Sequence, residues 1–302
     1  MAQPRIVVFG ATGTVGSQVA DILLNQRRTV TLVARDAAKL HSFAGRGATV
    51  VVASFAEPDQ LTQALVGAHV VLTMVPSNHA AADFIGEQRQ AADAQVAAIR
   101  ASGVRNVVNL SSAGAHVIEG NGVLTALAEM EVKLNQLADV NVLHLRPSFY
   151  MENAFYSLDL IKHRGINGLP TDGDHAFPMI ATKDVAGVIA DKLTHFDVSG
   201  KAVLPLLGPR EYSLRELTTQ IGTAIGQPHL PYVRFTPEDT KAGILASGGS
   251  ASFADRYVEL SVAFGKGLLN YEQRTAETTT PTTLEAFAHQ VFAPVYLKPL
   301  NL

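Results

Sequence analysis

Apolar residues along this chain follow two rhythms. Short continuous runs at residues 6–9, 30–33, 48–53, 69–75, 104–110 and 142–145 have the length and β-branched content of strands covered on both faces, as a parallel sheet requires. Between them the spacing changes to three and four. Val15, Val19, Ile22 and Leu23 form one helical stripe, residues 57–66 another, and residues 81–102 a long helix with Ile85, Ala92, Val96 and Ile99 on one side, stopped by Gly103. Residues 123–138 place Val123, Leu127, Met130, Leu134 and Leu137 on a single stripe. The alternation predicts an α/β chain whose first 150 residues form an open, doubly wound parallel sheet with right-handed crossovers.

Beyond Arg146 the rhythm breaks up. Residues 148–178 mix a short helix with a Gly-, Asp- and Pro-rich loop, residues 182–194 read as a helix, and residues 201–206 as a late strand. Residues 214–225 are helical, 232–235 a short strand, and further helices fall near 237–246 and 252–265, separated by a turn at Ser247-Gly-Gly-Ser250. Thr282-x-x-Glu285 reads as a capping box before a last helix. Residues 151–302 are therefore expected to form a smaller α+β lobe, with residues 180–206 returning to the sheet and substrate held between the two.

The junction between the first strand and the first helix carries Gly10, Gly13 and Gly16, in Gly-Ala-Thr-Gly-Thr-Val-Gly. Gly10 lets the chain turn off the strand, Gly13 lets backbone N–H groups approach a diphosphate, and Gly16 lets the helix lie close to the sheet. Unpaired N–H groups and the positive end of the helix dipole then face two phosphate charges. A second strand follows and closes a βαβ unit, so the run reads as the dinucleotide site of a Rossmann fold, with Thr12, Thr14 and Val15 contributing beside the glycines. The second strand ends in Val33-Ala34-Arg35, with Lys39 one turn further on. A carboxylate there would suit a free ribose hydroxyl, whereas basic side chains suit a 2′-phosphate, so NADPH is expected in preference to NADH. Asp36 is placed to cap the next helix instead.

Composition narrows the rest. With 47% hydrophobic and 17% charged residues among 302, the chain can fill a large core, and a net charge of −3 gives no basic surface for nucleic acid. Cysteine is absent, which excludes disulfides, thiolate catalysis and cysteine-ligated metal; the ten histidines show no metal-binding spacing either. The first strand begins near residue 5, leaving no room for a signal peptide, and there is no membrane-length apolar run, so a cytoplasmic location is expected.

In such a sheet ligands lie beyond the carboxyl ends of the strands. The loops there offer Val75, Pro76 and His79, then Ser111, Ser112 and His116, then Pro147 and Tyr150, with Asn153 close behind. Val75, Pro76, Ser111, Ser112 and Pro147 are the expected neighbours of the nicotinamide half of the coenzyme. His79, Tyr150 and Asn153 are the candidates for contact with a small-molecule substrate. A proton donor is needed as well; Tyr150 and His116 are candidates from these loops, and Lys133 from the helix preceding the sixth strand.

The glycine run, Val-Ala-Arg-Asp at 33–36, and Leu145-Arg-Pro-Ser-Phe-Tyr-Met-Glu-Asn153 resemble the atypical short-chain dehydrogenase/reductase superfamily, and within it the NmrA-like and isoflavone-reductase-like group; Lys183-Asp-Val-Ala186 and Leu207-Gly-Pro209 extend the likeness. The resemblance implies an NADPH-dependent oxidoreductase acting on a small carbonyl, enone, quinone or similar conjugated substrate. The Tyr-x-x-x-Lys pair of short-chain dehydrogenases is missing: the same spacing here holds Glu129 and Lys133, which reads equally as a surface ion pair. Relatives in the group carry a glutamate matched by Glu131 and, in catalytic members, a lysine one turn earlier, where this chain has Leu127. A non-catalytic sensor that binds nucleotide and a protein partner, or a non-redox lyase or isomerase, stays open beside the reductase; a homodimer is also open.

Overall fold

Alternating side chains on β1 (Ile6–Phe9) bury Ile6 and Val8 on one face and Val7 and Phe9 on the other, so both faces must be covered. They are. In the computed structural model, which describes residues 4–265 and 273–298, seven strands form one parallel sheet in the order β10-β6-β5-β4-β1-β2-β3. The chain runs β1, α1 (Thr14–Asn25), β2 (Val30–Ala34), α2 (Ala37–Ala44), β3 (Thr49–Val52), α3 (Pro58–Leu65), β4 (Val70–Met74), α4 (Phe84–Ser102), β5 (Asn106–Leu110), a 3-10 turn at Gly122–Leu124, α5 (Thr125–Asn135) and β6 (Asn141–Pro147). Helices α1 and α2 cover one face, and α3, α4 and α5 the other. The expected doubly wound sheet is therefore what forms.

Three sequence expectations change in detail. Strand β3 stands at the sheet edge, so Val52 is 54% exposed rather than covered on both sides. The long helix starts at Phe84 and not at 81, because the Asp83 carboxylate accepts from the Gly86 N–H and caps it there. The helix expected over 123–138 is a 3-10 turn followed by α5, which ends at Asn135.

The second half begins with β7 (Phe149–Tyr150), a 3-10 segment at Met151–Ser157, α6 (Leu158–Arg164), β8 (Asn167–Leu169) and β9 (Ala176–Ile180). Strands β8 and β9 lie where only a helix and a loop were expected; at three and five residues, with Gly168 and Pro178 inside, their apolar pattern is too short to stand out. Next come α7 (Thr182–Thr194), which packs on α1, and β10 (Lys201–Leu206), which pairs in parallel with β6. The remainder is β11 (Glu211–Ser213), α8 (Leu214–Ala224), β12 (Tyr232–Arg234), α9 (Pro237–Ala246), α10 (Ala251–Gly265), α11 (Leu284–Phe287), a π-turn, and α12 (Ala293–Tyr296). A three-stranded sheet β11-β9-β7 and a pair β12-β8 hold it together around Met151, Phe177, Tyr212, Phe287 and Phe292.

The expected capping box at Thr282 is displaced by one residue. Thr283 accepts from the Ala286 N–H and caps α11, while the Thr282 N–H and hydroxyl both donate to the Asp184 carboxylate on α7, at 2.9 and 2.7 Å. A buried acceptor from α7 has claimed the residue. Among the described residues no helix is long and apolar enough to cross a membrane.

Gly208 ties the lobe to the core. Its φ is +68°, and a Cβ there would collide with the Met179 carbonyl on β9. Gly208→Ala is expected to lower stability by about 2 kcal/mol or more, read as a fall in the urea midpoint of unfolding at unchanged slope.

Candidate functional site

The chain leaves β1 at Gly10, whose φ of +69° belongs to the left-handed region. It then folds back so that the Gly13 N–H donates to the Gly10 carbonyl at 3.0 Å. A Cβ on Gly16 would strike that same carbonyl, so α1 approaches the turn as closely as backbone permits. Gly13 is the N-cap of α1 and provides no side-chain acceptor, and the first turn holds no acid. Helices α2, α4, α8 and α9 are capped by Asp36, Asp83, Ser213 and Thr236. Helix α1, like α3 and α5, has no side-chain cap, and its first N–H groups, at Thr14, Val15 and Gly16, open onto the glycine turn with Gly13 and Thr14 exposed and Thr12 half-exposed beside them.

Arg35 ends β2 next to this turn. Asp36 accepts from the Ala38 and Lys39 N–H groups, and so caps α2 as expected; Lys39 lies 3.8 Å from the same carboxylate. Arg35 is exposed and has no hydrogen-bond or ion-pair partner among the described residues. Val75 is buried and Pro76 half-buried at the end of β4. Pro147 ends β6, and its carbonyl accepts from the Ala113 N–H in the loop after β5. In that loop Ser112 donates to the Ala113 carbonyl. Ser148 is different: it is only 5% exposed and its hydroxyl is in hydrogen-bond geometry with no described group, whereas the equally buried Ser111 hydroxyl lies against the Glu131 carboxylate.

Helix α5 faces this corner with a charged pair. Arg146, near the end of β6, donates two hydrogen bonds to Glu131, at 3.0 and 2.5 Å, and both side chains are buried. Burial alone would push the Glu131 carboxyl up, but the Arg146 guanidinium and the neighbouring Ser111 hydroxyl outweigh it and hold the group below the usual carboxylate range. One tier deeper, Thr73 donates to Asn109, Asn109 to His144 Nδ1, and His144 Nε2 meets Asn135. Burial lowers the His144 pKa to about 4, and a neutral imidazole with the proton on Nε2 satisfies both of its contacts.

The three donor candidates do not come together: no hydrogen bond or ring contact joins Tyr150, Lys133 and His116 among the described residues. Lys133 lies two positions beyond Glu131, about 200° round the helix, and pairs at 2.5 Å with Asp93 on α4. Glu129 pairs with Arg89, so the i,i+4 pair between Glu129 and Lys133 is not formed. Helix α4 lies alongside and its charges compete successfully for both. His116 is exposed in its loop. Tyr150 packs against the apolar layer under α1 and α7, and burial, reinforced by Glu152, raises its phenol.

A family model for NAD(P)H-binding domains matches residues 10–196. The chain belongs to that family. Over 255 residues it is 28% identical to an NAD(P)H azoreductase of Xenophilus azovorans, covering 84% of this chain and 85% of that one. Over 300 residues it is 26% identical to quinone oxidoreductase 2 of Escherichia coli, covering 94% and 98%. A crystal structure of an Escherichia coli NADPH-dependent quinone oxidoreductase complexed with NADPH shares the fold, with a TM-score of 0.80 at 23% identity over 95% of this chain and 99% of that one.

The corner fits what an NAD(P)H-binding protein must hold. An uncapped helix N-terminus over a side-chain-free turn suits a diphosphate, and the orphaned buried Ser148 hydroxyl just past β6 suits a polar group further along the same ligand. Sequence reading missed the aromatic residues that α10 brings against the loop after β4. His79 makes no free contact point there: its ring stacks on Phe253, centroids 4.0 Å apart and 7° from parallel, and its carbonyl accepts from the Ser250 N–H. Burial lowers its pKa, so the imidazole is neutral near neutral pH. Asn153 is half-buried, and its side chain has no hydrogen-bond partner among the described residues. The missed signal lies at residues 253, 257 and 264, a helical stripe more than a hundred positions from the loops it faces.

The two ion pairs of α5 should respond very differently to removal. Glu131→Ala removes two hydrogen bonds to a partly buried guanidinium and is expected to cost about 2–3 kcal/mol, whereas Lys133→Ala at the surface costs less than about 1 kcal/mol. Because the folded Glu131 pKa lies below its reference value of 4.5, its contribution is complete above that value and fades as pH falls through the folded pKa. Urea unfolding of both variants at neutral and acidic pH checks the contrast.

Proposed function

We propose that the protein is an NADPH-dependent oxidoreductase that reduces a quinone or a similarly conjugated acceptor. The observation that carries this is the uncapped N-terminus of α1 over the Gly10–Gly16 turn with Arg35 unpaired beside it, which offers neutral donors to a diphosphate and a cation to a 2′-phosphate. The two reductases to which it is similar over most of its length support the acceptor class.

In this reading the N–H groups of Gly13 to Gly16, with Thr12 and Thr14 beside them, hold the diphosphate, and Arg35 with Lys39 holds the 2′-phosphate. Val75, Pro76, Ser111, Ser112 and Pro147 enclose the nicotinamide half. When bound, the dihydronicotinamide supplies a hydride to the acceptor. The residues of the chain position that acceptor and exclude water from it, with Tyr150 as a wall and Asn153 as a polar contact. Residues up to 150 bind the coenzyme, and the lobe beyond β7 binds the substrate.

The chain has no tryptophan, so the fluorescence of reduced coenzyme can be followed over a low background. NADPH is expected to bind and to be consumed with naphthoquinone or benzoquinone; tight binding with no consumption across quinones and carbonyls would make the protein a sensor. Arg35→Ala is expected to weaken NADPH at least about tenfold, the effect of losing one charge-assisted contact, and to leave NADH nearly unchanged. Equal losses would refute the coenzyme preference.

A further inference from the structure

Helix α10 carries Phe253, Tyr257, Leu260 and Phe264 within about 60° of arc, since each residue turns the helix by about 100°. Of its 15 residues only Ala254 and Ala263 are buried; Phe264 packs against the lobe core, while Phe253, Tyr257 and Leu260 stay half-buried. Each end of the stripe rests on a different side of the sheet's carboxyl edge. Phe253 stacks on His79, in the loop after β4, and also meets Phe84 at 5.1 Å. Phe264 stands edge-on to Phe177 at 4.6 Å, and Phe177 meets Phe149, just beyond β6, at 5.3 Å. The span between, about 16 Å at 1.5 Å per residue, crosses the ends of β4, β5 and β6, the edge at which an open α/β sheet takes its ligand.

The helix is held there by backbone. The Ser250 N–H donates to the His79 carbonyl at 2.8 Å, and the Phe84 N–H donates to Ser252 Oγ at 3.0 Å. Gly122, just before α5, has φ +58°, and a Cβ on it would collide with the Arg256 carbonyl. Helix α10 thus lies against the start of α5, the helix on which related dehydrogenases carry their tyrosine.

Tyr257 stands between the two ends of the stripe. Its ring is half-buried, 5.9 Å from Phe253, and its hydroxyl has no hydrogen-bond partner among the described residues. Burial, reinforced by Tyr156, pushes the phenol up to about 12, so it keeps its proton at any physiological pH. The hydroxyl of nearby Tyr232 is committed to the Leu169 and Thr171 carbonyls. On α5 itself Leu127 offers no donor and Lys133 is tied to Asp93 on the side facing α4. Tyr150 packs under α1 and α7.

We propose that the Tyr257 hydroxyl donates a hydrogen bond to the carbonyl oxygen of the acceptor, so that the donor missing from α5 is supplied by α10. This rests on the reductase reading above. Reduction of a quinone consumes one hydride from NADPH and one proton from water and yields hydroquinone and NADP⁺. The electron pair displaced from the carbonyl double bond collects on its oxygen, and a neutral hydrogen-bond donor at that oxygen stabilises the charge.

Tyr257→Phe keeps the ring and removes the donor. With 1,4-naphthoquinone, kcat is expected to fall about 100-fold, as for loss of one oxyanion donor, at unchanged NADPH affinity and unchanged circular dichroism. A kcat within threefold of wild type overturns the proposal and leaves the reductase reading intact. A second measurement needs no turnover: 4-nitrophenolate, a stable anion whose colour reports its ionisation, is titrated into the NADP⁺-loaded protein. Wild type is expected to bind it at least about tenfold more tightly than Tyr257→Phe, the value of one hydrogen bond to a charged group. Equal binding by both, or none by wild type, overturns the proposal. If that difference holds while no quinone is reduced, the donor site stands and the reductase reading falls.

Discussion

The backbone contact between α1 and the turn after β1 sets the rest of the molecule's arrangement. Gly16 can lie on the Gly10 carbonyl only because neither residue carries a side chain. The contact brings the helix axis down onto the sheet, seats Val15, Val19 and Leu23 in the apolar layer, and points the first N–H groups outward at the carboxyl edge. A side-chain cap at Gly13 would stabilise the helix by about 1 kcal/mol but would fill the place an anion must take. The fold leaves these donors without a side-chain cap, an arrangement that suits an anion such as a diphosphate.

The two faces of the sheet are built on different terms. Under α1, α2 and α7 the packing is apolar throughout. Under α5 a polar wedge runs up β6 through His144, Arg146 and Ser148, alternate residues on one face of the strand, matched by Asn135 and Glu131 on the helix. Buried ion pairs rarely add net stability compared with apolar residues of the same size. Their geometry is rigid, however, and this one lies beside the Ser111 hydroxyl at the carboxyl edge. The wedge is best understood as fixing where the loops after β5 and β6 stand.

The lobe beyond β6 is stitched on through backbone and buried acceptors more than through long elements. Glu152 accepts from the Thr182 N–H and hydroxyl at the start of α7, Gln18 on α1 donates to the same hydroxyl, and Asp184 holds Thr282. Burial raises the Glu152 pKa, with the hydrogen bonds from Thr182 pulling against it. These contacts connect the phosphate-facing helix to the lobe in one run of hydrogen bonds, so the two halves of the ligand crevice are held in register.

Much of this was legible in the residue order. Strand and helix periods along the first 150 residues are local properties, and Gly10, Gly13 and Gly16 state a backbone requirement that few folds share, so the sheet, its coenzyme corner and the Asp36 cap follow from short stretches. Short strands such as β8 and β9 are invisible there because three to five residues carry too little pattern to compete with glycine and proline. Partner choice is not local either. Lys133 goes to Asp93 rather than Glu129, Thr282 goes to Asp184 rather than its own helix, and Phe253 covers His79, because each choice is made by a neighbour brought in from 40 to 174 positions away and by the burial that neighbour imposes. The sequence alone determined the architecture and the side-chain-free turn that opens α1; tertiary packing decided which side chains remain free to meet a ligand, since a charge or hydroxyl is available only when nothing folded against it has already taken its hydrogen bond.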